Sequence, residues 1–131
     1  MEIRTKEKLF RGKTVEELKK LDVREFAKFL KARERRSVMR NFQIVEEFVK
    51  KAEKKAGKKK AIKTHNRSLV IVPGLIDKTI HIYNGHNFVP VKIMQEMLGH
   101  RLGEFALTRK QVKHGAPGVG ATKSSAALSV K

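Results

Sequence analysis

Residues 109–131 combine cationic side chains with glycine and contain few large apolar side chains that could anchor them to a core. Glycine recurs at 115, 118 and 120, so the backbone there is free to bend. Cations on such a backbone can neutralise the phosphates of a contoured polyanion. We interpret this segment as a nucleic-acid-binding tail, whose cations include Arg109, Lys110, Lys113 and Lys123.

A second basic cluster occurs between residues 32 and 40. Arg33, Arg36 and Arg40 follow an i, i+3, i+7 spacing, which places them on one face if the segment is helical. A face of guanidinium groups suits phosphates. We therefore predict a second contact surface for nucleic acid here.

The composition of the whole chain agrees with this chemistry. Its 31 Lys and Arg residues outnumber 13 Asp and Glu residues and leave a formal net charge of +18 on 131 residues. Such a charge opposes self-association, so we expect no homo-oligomer. The chain contains no cysteine, and its apolar runs are too short for a membrane helix. Because the N-terminus also lacks the apolar stretch of a signal peptide, we expect a cytoplasmic protein.

Enzymatic chemistry finds little support in the motifs. The segment from Gly115 to Thr122 approaches the phosphate-binding pattern G-x-x-x-x-G-K-[ST], but Ala121 occupies the lysine position. The five histidines lack the i, i+4 pairing of metal ligands on a helix. His86, His100 and His114 instead adjoin glycines, where close approach to RNA is possible. We expect neither a catalytic site nor a metal or other cofactor.

Short helices are predicted in the first half of the chain. Thr14 with Glu17, and Asp22 with Glu25, match the capping box that begins a helix. A further helix is expected to begin at Asn41 and to end near Gly57, which we expect at the position after the helix because it tolerates positive φ. Apolar residues recur every three or four positions in all these segments, so each helix should have one face for packing.

The second half of the chain favours strands. The apolar run at residues 69–72, which precedes Pro73-Gly74, predicts a buried strand. Alternating apolar residues predict a second strand at 79–83, and Asn84-Gly85 predicts a hairpin turn to a third. Pro90 favours an edge position or a bulge for that third strand.

These elements predict an α+β fold with a small three-stranded mixed or antiparallel sheet and short helices. We divide the chain into a basic helical N-terminal extension (1–60), an α+β RNA-binding core (61–108) and an extended basic tail (109–131). The lysines between Lys50 and Lys60 are equally well explained as a solvated linker or as RNA contacts.

Three sequence blocks together resemble a known family. They are KTHNRS at 63–68, NGHNFVPVKIMQEMLGHRLGEFALT at 84–108 and TRKQVKHGAPGVGATKSS at 108–125. In residue type and spacing they resemble the universal small-subunit ribosomal protein S-nineteen family, called S-fifteen in eukaryotes. The N-terminal block LKARERRSVMR at 30–40 is similar to the archaeal and eukaryotic branch of that family.

The resemblance implies a non-enzymatic constituent of the small subunit that binds rRNA in the subunit head. It implies a neighbouring head protein of the ribosomal S-thirteen family, and a tail directed toward the decoding region and tRNA. It also implies structural roles for Gly85, Gly99 and Gly103. The RNA-contacting positions that it suggests are Lys63, Arg67, Asn84, Gly85, His86, His100, Arg101, Arg109, Lys110, Lys113 and His114.

Two positions depart from the family pattern. His86 stands where the family often has Lys or Arg, so its RNA contact should be weak or absent. Asp77 stands where glycine is common, and we expect its carboxylate to face solvent rather than phosphate. The alternative from another class is a free-standing protein that coats RNA or chromatin without a defined site. The hairpin region at 84–108 argues against that alternative, because indiscriminate coating requires no such arrangement.

Overall fold

Within the part of the chain that the structure describes, four helices precede the sheet. The structure, a computed structural model, describes residues 7–115. The helices are α1 (Val15–Lys20), α2 (Val23–Ala27), α3 (Ala32–Arg40) and α4 (Phe42–Gly57). The strands are β1 (Ile62–Thr64), β2 (Thr79–Tyr83) and β3 (Phe88–Lys92), and short 3₁₀ turns span Pro73–Leu75, Gln95–Met97 and Leu102–Phe105. The predicted α+β class with a three-stranded mixed sheet is confirmed.

The two predicted capping boxes are present with their reciprocal hydrogen bonds, whereas Asn41 precedes α4 as predicted but makes no side-chain cap bond. Glu17 N donates to Thr14 Oγ1 over 3.4 Å, while Thr14 N donates to Glu17 Oε2 over 3.3 Å. Asp22 and Glu25 form the same capping box at α2. Each box satisfies backbone N–H groups that have no partner inside the helix, which explains why such short helices begin where they do.

The end of α4 differs from the prediction in one detail. Gly57 is the last helical residue, and the left-handed position after the helix is occupied by Lys59, whose φ is 53°. Lys60 N donates to Lys55 O over 2.9 Å and Lys59 N donates to Ala56 O over 3.1 Å. These two bonds form a Schellman motif, which places the positive-φ residue two positions later than expected.

The sheet has the order β1-β2-β3. Strand β1 runs parallel to β2 with Ile62 opposite Ile80, and β2 runs antiparallel to β3 with Ile80 opposite Val91. Pro90 lies on β3, an edge strand, as predicted. An edge tolerates proline because one side of the strand needs no hydrogen-bonded partner.

The prediction of a strand at residues 69–72 is wrong. These residues are buried, but only Val70 forms a β-bridge, to Arg101. Ile71 N donates to His100 O over 2.8 Å, and Leu102 N donates to Leu69 O over 3.0 Å. A continuous apolar run indicates that the segment is buried on all sides. An extended segment that is hydrogen-bonded to a loop can be buried in this way as well as a strand can.

One hydrophobic core joins the helices to the sheet. Buried side chains from both sides of residue 60 belong to it, including Leu18, Phe26, Val45, Ile71 and Ile80. The boundary at residue 60 stays a prediction about chain organisation, but it does not divide this core. Within residues 7–115, no helix is long and apolar enough to cross a membrane.

Candidate nucleic-acid interface

The sheet presents two chemically different faces. Ile62, Ile80 and Ile82 point into the core and are at most 5% exposed. Lys63 is opposite His81 in the β1-β2 register and belongs to the other face, which we call the outer face. Lys63 is exposed there, with its Nζ 5.3 Å from the centroid of the Phe88 ring. The structure therefore places this predicted contact on an accessible surface.

The hairpin turn at residues 84–87 is organised by the side chain of Asn84. Its Oδ1 accepts hydrogen bonds from His86 N over 2.9 Å and from Asn87 N over 2.7 Å, and Asn84 N donates to Asn87 O over 3.0 Å. Gly85 has a φ of 97°, a conformation that side chains rarely adopt. The turn therefore holds the exposed Gly85 and His86 in a fixed arrangement in which both can be approached by a ligand.

The guanidinium of Arg67 is hydrogen-bonded to the backbone of the protein. Its Nη1 donates to Tyr83 O over 2.7 Å, and its Nη2 donates to Gly103 O over 2.7 Å and to Ala106 O over 2.5 Å. These bonds tie the end of β2 to the turn at Leu102–Phe105. A Cβ atom on Gly103 would lie 3.0 Å from both Cβ and O of Arg67, so only glycine allows the close approach. We call this arrangement the Arg67 clasp.

Arg101 connects α3 to the loop before residue 69. Its Nη1 donates to Ser68 O over 3.1 Å and its Nη2 donates to Ser37 Oγ over 2.8 Å. The same side chain lines a polar crevice of about 140 Å³ together with Asn41 and Asn66. The guanidinium is half-buried and orients neighbouring polar groups, while its position at the crevice leaves it accessible to a small polar ligand.

His100 pairs with an acidic side chain four residues later. Its Nδ1 lies 2.7 Å from Glu104 Oε2, and both side chains are about half exposed (54% and 49%). The ring also meets Phe105 edge-on, with centroids 5.9 Å apart. The pairing with Glu104 fixes the orientation of the imidazole.

The arginine face predicted on α3 is present. Arg33, Arg36 and Arg40 are all exposed on this helix, and none makes a salt bridge within residues 7–115. The neighbouring Arg35 differs, because its guanidinium donates to the carbonyl oxygens of Ala27, Lys28 and Leu30 where α2 ends. One arginine of the cluster therefore stabilises a helix end, and the other three point to solvent.

Lysines elsewhere do pair with carboxylates. Lys8 binds Glu96, and the hydrogen bond from Lys8 lowers the pKa of Glu96. Burial lowers the pKa of Lys78, whose Nζ donates to Gly74 O over 2.6 Å and lies 3.9 Å from Glu53. These pairs involve none of the predicted contact residues.

The segment after the last turn is exposed. Arg109, Lys110, Lys113 and His114 lie in irregular structure and are open to solvent. Lys123, also predicted to bind RNA, lies outside the described residues. Among residues 7–115, no group of three or more His, Asp or Glu side chains is arranged to hold a metal ion.

Comparison with known proteins identifies the family. A family model described as ribosomal protein S19 matches residues 36–114. The chain belongs to the ribosomal protein S19 family. It is also 49% identical over 128 residues to the small ribosomal subunit protein uS19 of Picrophilus torridus, an alignment that covers 98% of this chain and 83% of that protein.

The ribosomal protein S19 match begins at Arg36, within α3, and includes the whole sheet, the hairpin turn and the Arg67 clasp. Helices α1 and α2 precede the matched residues but fall within the longer similarity to the P. torridus protein. The resemblance inferred from the sequence blocks is thereby confirmed, and it extends over nearly the whole chain.

The structure also assembles a group that the sequence did not single out as a site. The rings of His65, Tyr83 and Phe88 meet at one end of the outer face, with centroids 4.6 to 5.1 Å apart. We call these three rings the aromatic cluster. Alternation within β2 and β3 signals which residues face outward, but it does not reveal that residues from three chain segments meet.

Proposed function

We propose that this chain is a structural constituent of the small ribosomal subunit and binds rRNA by shape and phosphate contacts. The observation that carries the proposal is membership of the ribosomal protein S19 family, together with 49% identity to a small ribosomal subunit protein over 98% of the chain. The net charge of +18 supports it, because the charge matches the polyanionic partner that the proposal requires.

Exposure and charge divide the predicted contact residues into two groups. Exposed groups, together with the half-buried Asn84 in the exposed hairpin turn, are proposed to contact phosphates, riboses or bases directly. Folded RNA is recognised largely by such phosphate and 2′-OH contacts. The direct contacts proposed are Arg33, Arg36, Arg40, Lys63, Asn84, Gly85, His86, His100, Arg109, Lys110, Lys113 and His114, with Lys123 in the tail.

Arg67 and Arg101 are proposed to act differently. Arg67 donates three hydrogen bonds to backbone carbonyls, so its main role is to position the hairpin end of the sheet for RNA. Arg101 combines a positioning role, through Ser37 and Ser68, with an accessible place at the polar crevice.

The location of the protein within the small subunit is proposed from the family resemblance. We propose a site in the subunit head beside a protein of the S-thirteen family, with the tail directed toward the decoding region and tRNA. The protein would then reside on cytoplasmic ribosomes, without catalysis and without forming a homo-oligomer. These assignments rest on the resemblance, and the charge is consistent with them.

Sedimentation of a cell lysate through sucrose gradients at moderate and high salt tests the proposal. We expect this protein, followed by mass spectrometry, to migrate with small subunits at near-unit stoichiometry. Its presence only at the top of the gradient would reject the proposal. A spread over all nucleic acid would favour the free-standing coating protein instead.

Purified components provide a second test. Six to ten phosphate contacts would lower the affinity for rRNA roughly 10³- to 10⁵-fold between 50 and 200 mM salt, if the scaling known for DNA applies. A filter-binding titration across that range measures the slope directly. A complex insensitive to salt would contradict binding through phosphates.

A further inference from the structure

The outer face of the sheet carries polar and aromatic side chains in place of aliphatic ones. Along β2, Thr79 is exposed while His81 and Tyr83 are half-exposed, and the alternate residues Ile80 and Ile82 are fully buried. None of the outer-face side chains belongs to the buried core. Among the described residues, this face is therefore left open to a partner.

Three rings meet where this face approaches the hairpin turn. His65 follows β1, Tyr83 ends β2 and Phe88 begins β3. The centroid of the His65 ring lies 4.6 Å from that of Tyr83 and 5.1 Å from that of Phe88, and the Tyr83 and Phe88 centroids are 5.1 Å apart. The aromatic cluster is thus one contiguous surface built from three neighbouring strand ends.

Hydrogen bonds hold this surface in place. The hydroxyl of Tyr83 donates to Gly85 O over 3.1 Å, and its backbone carbonyl accepts from Arg67 Nη1 over 2.7 Å. The partner strand fixes Phe88, which is paired with Tyr83 in the β2-β3 register. Binding therefore requires little rearrangement of the rings, which limits the entropic cost.

A positive charge lies over one of the rings. Lys63 Nζ is 5.3 Å from the Phe88 centroid, and the Lys63 side chain is exposed. Aromatic rings with an adjacent cation are the combination that binds unstacked nucleotides, because the base stacks on the ring while the cation meets the phosphate.

We propose that the aromatic cluster is a stacking platform for an unpaired RNA base, with Lys63 placed to contact the phosphate of that nucleotide or its neighbour. The inference rests on the proposed rRNA binding and specifies its chemistry. Bases inside an A-form duplex do not present their faces, so the ligand is a nucleotide in a loop, bulge or junction. Stacking tolerates any of the four bases, so the platform selects exposed structure rather than sequence.

A double variant, Tyr83→Ile with Phe88→Ile, tests the platform while retaining β-branched residues suited to strands. Thr79→Ile is the matched control, because it adds the same side chain to the same face of β2 without removing a ring. We expect the double variant to bind a small-subunit rRNA transcript roughly 5- to 150-fold more weakly than the control. The dependence of affinity on salt should remain unchanged, because no cation is lost.

Ultraviolet cross-linking of the wild-type complex gives a readout that does not depend on how the variant folds. After nuclease digestion, mass spectrometry should find nucleotide adducts on the peptides that contain His65, Tyr83 or Phe88. Absence of such adducts, or affinity of a folded double variant within twofold of the control, overturns the platform while leaving the proposed function intact. Failure of the wild-type protein to bind the transcript would overturn both.

Discussion

Replacement of Arg67 by lysine separates a positioning role from a phosphate contact. Both side chains carry one positive charge, but lysine cannot reproduce the planar fork with which Arg67 reaches the carbonyls of Tyr83, Gly103 and Ala106. If the clasp is the main role of Arg67, Arg67→Lys should lower stability even in the absence of RNA.

The size of the effect follows from the three bonds that are lost. A hydrogen bond from a charged donor contributes about 1.5–3 kcal/mol, but three bonds from one half-exposed group do not add fully. We expect the free energy of unfolding to fall by about 2–4 kcal/mol. For a chain of this size, that change corresponds to a melting temperature lower by about 6–16 °C.

Thermal unfolding followed by circular dichroism measures the change, and Arg36→Lys is the matched control. Arg36 is exposed on α3, so its replacement should alter stability by no more than about 0.5 kcal/mol. The reasoning would be refuted if Arg67→Lys melted with the wild type yet bound rRNA more weakly. That result would assign Arg67 to direct, arginine-specific phosphate binding.

Three further predictions concern the end of α4, the loop that contains Asp77, and the arginine face of α3. Lys59→Gly should stabilise the protein by about 0.5–1 kcal/mol in thermal unfolding, because Lys59 has a φ of 53° and glycine adopts such a positive φ without steric strain. A lower melting temperature would contradict the assigned Schellman motif. Asp77→Lys should leave rRNA affinity unchanged, since Asp77 is exposed near Lys19 and is expected to face solvent; a large gain would place that loop against phosphate. The triple change of Arg33, Arg36 and Arg40 to Gln should leave stability unaltered. It should make the negative slope of log affinity against log salt shallower by about 2–3, because three cations are lost. An unchanged slope would show that α3 does not contact RNA.

Local signals predicted the helix starts and the hairpin correctly. The capping boxes at Thr14 and Asp22 involve partners three residues away, so their geometry is encoded in a few consecutive residues. Asn84 also acts locally, by accepting hydrogen bonds within its own turn. The strands at Thr79–Tyr83 and Phe88–Lys92 followed from alternation and from the turn between them.

The strand prediction at residues 69–72 was wrong for a physical reason. Burial of an apolar run does not specify which backbone satisfies its hydrogen bonds, and here residues 99–102 do so. The true first strand, Ile62–Thr64, has three residues, too few for a periodic pattern to indicate it.

The sequence alone determined the charge, the short capped helices, the hairpin and, through its characteristic blocks, the family. Each depends on composition or on residues close together in the chain. Only the tertiary structure decided that Arg67 is a clasp and that His65, Tyr83 and Phe88 form one surface. Arg67 reaches Gly103 across 36 residues, and no local pattern encodes a contact between positions so far apart, because their meeting depends on how all the intervening elements pack.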